Sequence, residues 1–364
     1  MFVALRDLRH ARGRFVLMSV VVVLITFLVT FLASLTAGLA RESTSAVTGL
    51  PVDRLAFSMP QPDDAPEFTA SRVTAAQWQG WAAQDGVERA EPLGVATTRA
   101  ESAATTAAVT ALGVDPGSGL VPAPADVAPG TVLLTPAAAD ALDAHAGDRV
   151  SVGGTDLTVA GVAGTDESFA HTPVVWTTLD DWQTVGAQGA DPADGPVATV
   201  VALTAPDVDD AALAAGDEAR GTTTVTPREA RSAVSSFAGE NTSLTTMQAF
   251  LVGISALVVG AFFTVWTIGR TGDVAVLKAL GASTRYLLRD ALGQAAVVLV
   301  VGVTTGTVLT AAGAALLPGT LPVVVDVTTT VVPAAGLVVL GLAGAAVSVA
   351  RITRVDPHAA LAAR

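Results

Sequence analysis

Arg270-Thr-Gly-Asp-Val-Ala-Val-Leu-Lys278-Ala-Leu-Gly-Ala-Ser-Thr-Arg285-Tyr-Leu-Leu-Arg289-Asp290 is a charged stretch between two long apolar runs. It holds Lys278, the single lysine of the chain. Val274, Leu277, Ala279 and Leu280 fall at helical spacing among the charges, and Gly281 is placed to end that helix. The runs on either side, 247–269 and 291–317, are long enough to cross a hydrocarbon core of roughly 30 Å. A short amphipathic helix between two such spans is well placed to press on something in the cytoplasm.

The composition agrees with spans. Of 364 residues, 51% are hydrophobic and 15% charged, a balance that no wholly aqueous domain of this size carries. The net charge of −13 averages two unlike parts. Residues 41–240 hold 9 Arg against 28 Asp and Glu, giving −19, and the remainder holds 10 Arg and 1 Lys against 5 acids, giving +6. Basic membrane flanks joined to an acidic aqueous domain argue against nucleic-acid binding. Cysteine is absent, which removes disulfides, zinc–thiolate sites and a cysteine nucleophile.

Taken in order, residues 1–14 form a basic amphipathic segment, with Phe2, Leu5 and Leu8 on one face beside arginines. Residues 15–40 carry no charge and read as the first span. That run is longer than the roughly 7–15 residues of a signal-peptide core, so a retained span is expected despite Gly38-Leu39-Ala40. Arg6, Arg9, Arg12 and Arg14 precede the span, which puts the N-terminus in the cytoplasm. Thr26, Thr30, Ser34 and Gly38 recur every four residues, a small-residue stripe that suits either a neighbouring helix of the same chain or a dimer seam. Pro318-Gly319 and Pro322 break the chain into an outer loop at 318–330. The fourth span covers 331–350, and Arg351 and Arg354 make 351–364 a cytoplasmic tail. The fold class expected is an α-helical membrane protein with four transmembrane helices and an inserted extracytoplasmic α+β domain, 41–246, with both termini inside.

Within that domain the alternation predicts strands at 93–99, 107–114, 131–134, 149–153, 156–164, 173–177, 197–204 and 222–226. Helices are predicted at 74–84, 136–145, 178–184 and 208–216. Gly147-Asp148 and Gly153-Gly154 are turn signals. A helix entering the membrane is predicted over 227–246, from Pro227 through Phe237.

Enzymatic chemistry has little footing. Lys278 follows no glycine-rich turn, so the chain has no P-loop, and ATP hydrolysis must belong to a separate subunit if the system is ATP-driven. Neither a Gly-x-Ser-x-Gly elbow nor a His-Glu-x-x-His helix occurs. His10, His145, His171 and His358 lack metal-ligand spacing, and His145 and His171 read as structural.

Asp273-Val-Ala-Val-Leu-Lys-Ala-Leu-Gly-Ala-Ser283 resembles the loop "E-I-x-x-L-[RK]-A-[LI]-G-A" of FtsX-like permeases, the membrane subunits of ABC systems. The tail from Arg354-Val-Asp356-Pro357 to Leu361 is similar to their "R-x-D-P-x-x-A-L" ending, and Gly147-Asp-Arg-Val150 to a turn in their outer domain. The resemblance implies that Asp273, Val276, Leu277, Lys278, Leu280, Gly281 and Arg285 dock a cognate ATPase subunit, present in two copies on a homodimer in the cell membrane. The N-terminal pattern and Ser168-Phe-Ala-His-Thr-Pro-Val-Val-Trp176 resemble haem-exporter permeases of Gram-positive bacteria. No intrinsic cofactor is implied; haem enters as a possible cargo. Haem iron takes His, Met, Cys, Tyr and sometimes carboxylate oxygen. With cysteine absent and Tyr286 on the inner side, Glu42 and Met247 are the candidate ligands, with Phe31 and Phe250 as walls. Other cargo (lipoprotein, peptide, antibiotic) and a non-transporting regulator that passes motion to an outer partner are the alternatives the same family offers.

Overall fold

The computed structural model describes residues 12–59, 64–186, 197–269, 281–317 and 321–352, together with Gly272 and Val276. The chain divides into two compact units, one made of Met1–Gly38 and Thr242–Arg364, the other of Leu39–Asn241.

The second unit is built on a ten-stranded sheet. Its strands are β1 (Arg54–Ser58), β2 (Arg89–Glu101), β3 (Thr106–Val114), β4 (Thr131–Leu134), β5 (Arg149–Val152), β6 (Thr155–Val162), β7 (Ser168–Phe169), β8 (Thr172–Thr178), β9 (Val200–Thr204) and β10 (Thr222–Val225). They run in the order β10-β1-β9-β2-β3-β8-β4-β6-β5, with β7 paired to β8. The long strand β2 serves two neighbourhoods: residues 89–93 pair with β9, and 94–101 with β3. Its last residues, Ala100 and Glu101, pair with Val152 and Ser151 of β5, so the path β2-β3-β8-β4-β6-β5 closes on itself. Closure leaves no free edge among those six strands. The β5–β6 turn is Gly153-Gly154, both at positive φ, as a two-residue hairpin loop of this hand requires.

Sequence alternation decides what lies inside. Val109, Ala111, Val132, Leu134, Val150, Val152, Leu157 and Val175 are buried together with Leu179, Trp182 and Val185 of helix α4 (Leu179–Gly186). Gly94 and Gly113 face each other across β2 and β3, and the Trp182 ring system occupies the slot they leave. A Cβ on Gly113 would stand 2.3 Å from the Trp182 Cβ, and one on Gly94 2.2 Å from Cδ2. Helix α2 (Ala75–Ala82), with a Thr74/Gln77 capping box, and α5 (Asp210–Arg220), capped by Asp209, cover β1 and β9, burying Trp81 and Leu213 with Val201 and Leu203. Helix α3 (Pro136–Leu142) starts on the Thr135 side chain and buries Ala138 and Leu142.

A further cluster joins Leu55, Phe57, Leu93, Val174 and Trp176 to Ala46, Val47 and Leu50 of helix α1 (Arg12–Thr48) and to Phe237 of α6 (Ser235–Ile268). The helix predicted from Pro227 does not run straight into α6. Glu229–Ala233 is a 3-10 turn, and Val234 is extended (ψ 106°), so α6 begins at Ser235. Strand β1 was not predicted from the sequence; Leu55, Ala56 and Phe57 are all buried, so it carries no alternation to read.

In the first unit, α1, α6, α7 (Thr284–Leu316) and α8 (Val332–Ile352) are each long and apolar enough to cross a membrane. They share a core of Met18, Val22, Phe263, Trp266, Leu299, Val303 and Leu337. Small residues set the approach of helices without a water-driven hydrophobic force. Gly302 and Gly306 of α7 receive Val22 and Thr26 of α1, Thr30 Oγ1 lies 2.7 Å from Thr310 Oγ1, and Val324 N donates to Ser34 O at 3.1 Å. A Cβ on Gly38 would overlap the Pro322 carbonyl. The stripe Thr26, Thr30, Ser34 and Gly38 therefore faces its own chain. Gln248 Nε2 donates to Thr36 Oγ1 at 2.7 Å, and Thr264 and Ser348 hydroxyls meet at 2.9 Å.

Two stability predictions follow from these packings. Gly113→Ala pushes a methyl into Trp182 and is expected to cost about 1–3 kcal/mol, read as a lower melting temperature by tryptophan fluorescence. Glu167 lies half-buried before β7, and burial pushes its carboxyl above the usual range, while the Trp176 indole opposes that shift. A raised carboxyl stabilises the fold only below its unfolded-state value and loses that contribution as pH rises through the folded one. Glu167→Gln should thus raise the melting temperature at pH 7, and the gain should vanish near pH 4.

Candidate functional site

The residues expected to dock an ATPase precede α7 in the chain, apart from Arg285 in its first turn. Gly281 has φ +91°, the left-handed backbone that a glycine placed after a helix adopts. Ser283 then caps α7, its hydroxyl accepting from Tyr286 N at 3.2 Å. Val276 and Arg285 are exposed. Asp273, Leu277, Lys278 and Leu280 lie outside the described residues, so the amphipathic helix expected there has no description.

The candidate cargo residues fall in different places. Phe31 is half-buried on α1 and stacks on Phe27 with ring centroids 5.6 Å apart. Met247 and Phe250 are open on α6, Phe250 at 70% exposure, and continue into Ile254, Leu257, Val258 and Val265. Steps of three, four and seven residues place these on one apolar face. Glu42 belongs to the second unit and is not free: its carboxylate Oε2 lies 3.6 Å from His171 Nδ1.

That contact opens onto a cluster that sequence reasoning missed. Strands β7 and β8 pair as Ser168↔Pro173 and Phe169↔Thr172, which leaves Ala170-His171 as a two-residue turn. Both turn residues have positive φ, 49° and 63°. A primed hairpin turn demands this, and Asn or Gly supplies it at little cost; an alanine and a histidine there cost roughly 1–2 kcal/mol each. The turn is held against the last turns of α1. Ala170 N donates to Ser43 O at 3.0 Å, His171 N to Glu42 O at 3.3 Å, and Ser168 N to Ser45 Oγ at 2.9 Å. The imidazole completes the fixture. Nε2 stands 2.8 Å from Ser43 Oγ and 2.9 Å from Glu240 Oε2, on the first turns of α6. A carboxylate only accepts, so Nε2 carries the hydrogen toward Glu240. Thr172 Oγ1 donates to Phe169 O at 2.8 Å, and hydroxyls of Thr172, Thr110 and Thr97 follow one another across β8, β3 and β2 at 2.7 and 3.0 Å.

The two carboxylates sit on opposite ring nitrogens and do not converge on one point. Among the described residues no group of three His, Cys, Asp or Glu side chains is arranged to hold a metal ion. His145 is at the surface, its backbone N–H donating to Asp148 Oδ2 at 2.7 Å. Phe169-Ala-His-Thr-Pro173 carries no turn glycine or asparagine to announce the cluster, and only the fold reveals Ser43, Glu42 and Glu240 as its partners.

The model of the MacB-like periplasmic core domain matches residues 15–219, and that of the FtsX-like permease C-terminal region matches 245–357. A protein of Staphylococcus epidermidis, named as a hemin transport system permease, HrtB, is 30% identical over 142 residues. Those residues are 39% of this chain and 41% of that relative, so the match spans about two fifths of the relative's length. An uncharacterized ABC transporter permease of Mycobacterium bovis is 27% identical over 361 residues, 98% of both chains. The extracellular domain of the ABC-type transporter YknZ from Gram-positive bacteria overlaps 48% of this chain and 98% of its own at 18% identity, with a TM-score of 0.34, too low to carry weight. With both halves of the pattern matched in order along one polypeptide, the chain belongs to the FtsX-like permease family that carries a MacB-like core domain.

Proposed function

We propose that the chain is the membrane subunit of an ABC-type exporter. Its four apolar helices span the cell membrane, and its α+β unit stands outside, with both termini and the 270–290 loop in the cytoplasm. The observation that carries this reading is the permease match over 245–357, whose apolar helices flank a lysine- and arginine-bearing loop with no P-loop anywhere in the chain. ATP is hydrolysed on a separate subunit that docks on 270–290, two copies serving a homodimer. Closure of those subunits moves the loop, and the long helices α1 and α6 carry the motion outward.

The cargo class that the matched relative suggests is haem, or an amphiphile of similar shape. A collection site along the membrane boundary suits it better than a polar channel, because the helices carry few ionisable groups in their apolar stretches. The open apolar face from Met247 through Phe250 to Val265 offers walls and a thioether, and Glu42, in the other unit, is a separate ligand candidate.

Two experiments test this. Leu277→Asp is expected to abolish stimulation of the cognate ATPase by the permease, at least tenfold, while membrane insertion is unchanged; retained stimulation would sink the docking role. Haemin titrated into the purified protein in nanodiscs should give a saturable, shifted Soret band that weakens in Met247→Ala and Glu42→Ala. An unshifted band, or one indifferent to both changes, would remove haem as cargo and leave the permease reading standing.

A further inference from the structure

We infer that the Ala170–His171 turn is a clasp. It fastens the last turns of α1 and the first turns of α6 to each other and to strand β8, and it can open without unfolding the sheet. The argument starts from the backbone. Two consecutive non-glycine residues hold positive φ in a turn that asparagine or glycine would fill without strain. Within the hairpin, Thr172 Oγ1 spans the turn by donating to Phe169 O, without relieving its backbone strain. The compensation comes from the helices: the Glu42 and Ser43 carbonyls take the two turn N–H groups, and Ser45 takes Ser168 N.

A glycine in place of His171 would relax the turn but could not reach α6. The imidazole has a nitrogen on each edge: Nε2 donates to Glu240 at 2.9 Å, and Nδ1 faces Glu42 Oε2 at 3.6 Å, an ion pair in the protonated ring. The location is also apt for opening. Glu42 and Glu240 are 47% and 42% exposed, so water competes for both, and the break at Val234 lets the start of α6 swing on the 3-10 turn before it. Phe237 under the Arg231 guanidinium remains as a pivot, 5.6 Å from the ring. The hydroxyl run from Thr172 through Thr110 to Thr97 carries the turn's position into three adjacent strands. Displacement of either helix end is therefore delivered to β8, in the interior of the sheet, rather than to an edge.

Hydrogen exchange on the full chain in nanodiscs tests the clasp without any ATPase or cargo, so its outcome is independent of the exporter reading. Three variants are compared with the parent: His171→Gly, Glu240→Ala and the double change. Each single variant should speed exchange of amides 236–241 about tenfold, with the sheet amides of β3 and β8 unchanged. The double variant should be no faster than the faster single one, because both changes open the same contact. Ala170→Gly, which relaxes the turn and leaves the ring in place, should leave 236–241 at the parent rate. Unchanged exchange in Glu240→Ala, additive effects in the double variant, or acceleration spread equally over β3 and β8 would each overturn the clasp.

Discussion

The α+β unit has to begin and end in helix. Ala46, Val47 and Leu50 at the end of α1 and Phe237 at the start of α6 lie in the same buried cluster as Leu55, Phe57, Val174 and Trp176. The core of the sheet is thus closed in part by the helix ends that enter and leave the unit. Each buried aliphatic side chain is worth about 1.5–3 kcal/mol, so fraying either helix end would expose several kcal/mol of apolar surface. The helices are thereby structural parts of the unit, and the His171 contacts fall at the level where that apolar anchoring gives way to polar side chains.

The same economy governs the helical unit. Glycine and threonine on α1 and α7 do what leucine does in water, bringing backbones close enough for dispersion and hydroxyl contacts to accumulate. Gly302 and Gly306 admit Val22 and Thr26, and Thr30 meets Thr310, so the four-residue stripe on α1 is used up within the chain. An intermolecular seam would need another surface, and α6 presents an open apolar face from Met247 to Val265. That face is left open while Val259, Phe263 and Trp266 on its opposite side are buried.

How far this was legible in the sequence depended on the range of the interactions. Strand pairs closed by Gly153-Gly154, and helices started by Thr74, Thr135 and Asp209, are set by neighbours within a few residues, and alternation marked them. β1 was hidden because both of its faces are covered, and the start of α6 was misplaced because Val234 breaks the helix with no proline or glycine to announce it. The His171 cluster was illegible for a different reason. Its partners lie 128 residues before it and 69 after it, and neither Ser43 nor Glu240 carries a local pattern. Its only local trace was a primed turn without glycine, which looks like no turn at all.

Glu42 ties the two readings of this region together. As a haem ligand it needs a free carboxylate oxygen, yet Oε2 is turned toward His171 Nδ1. A metal-centred cargo that took that oxygen would have to draw Glu42 from the imidazole, weakening the grip of the turn on α1. By linkage, whatever opens the turn must favour the cargo by the same factor as the cargo favours opening. Binding through Oε2 and loss of the Glu42–His171 contact would then be two coupled equilibria. A cargo held by Met247 and the α6 face alone would leave the turn untouched. Haem binding and the Glu42–His171 contact are therefore linked quantities if Glu42 ligates through Oε2, and independent ones if it does not.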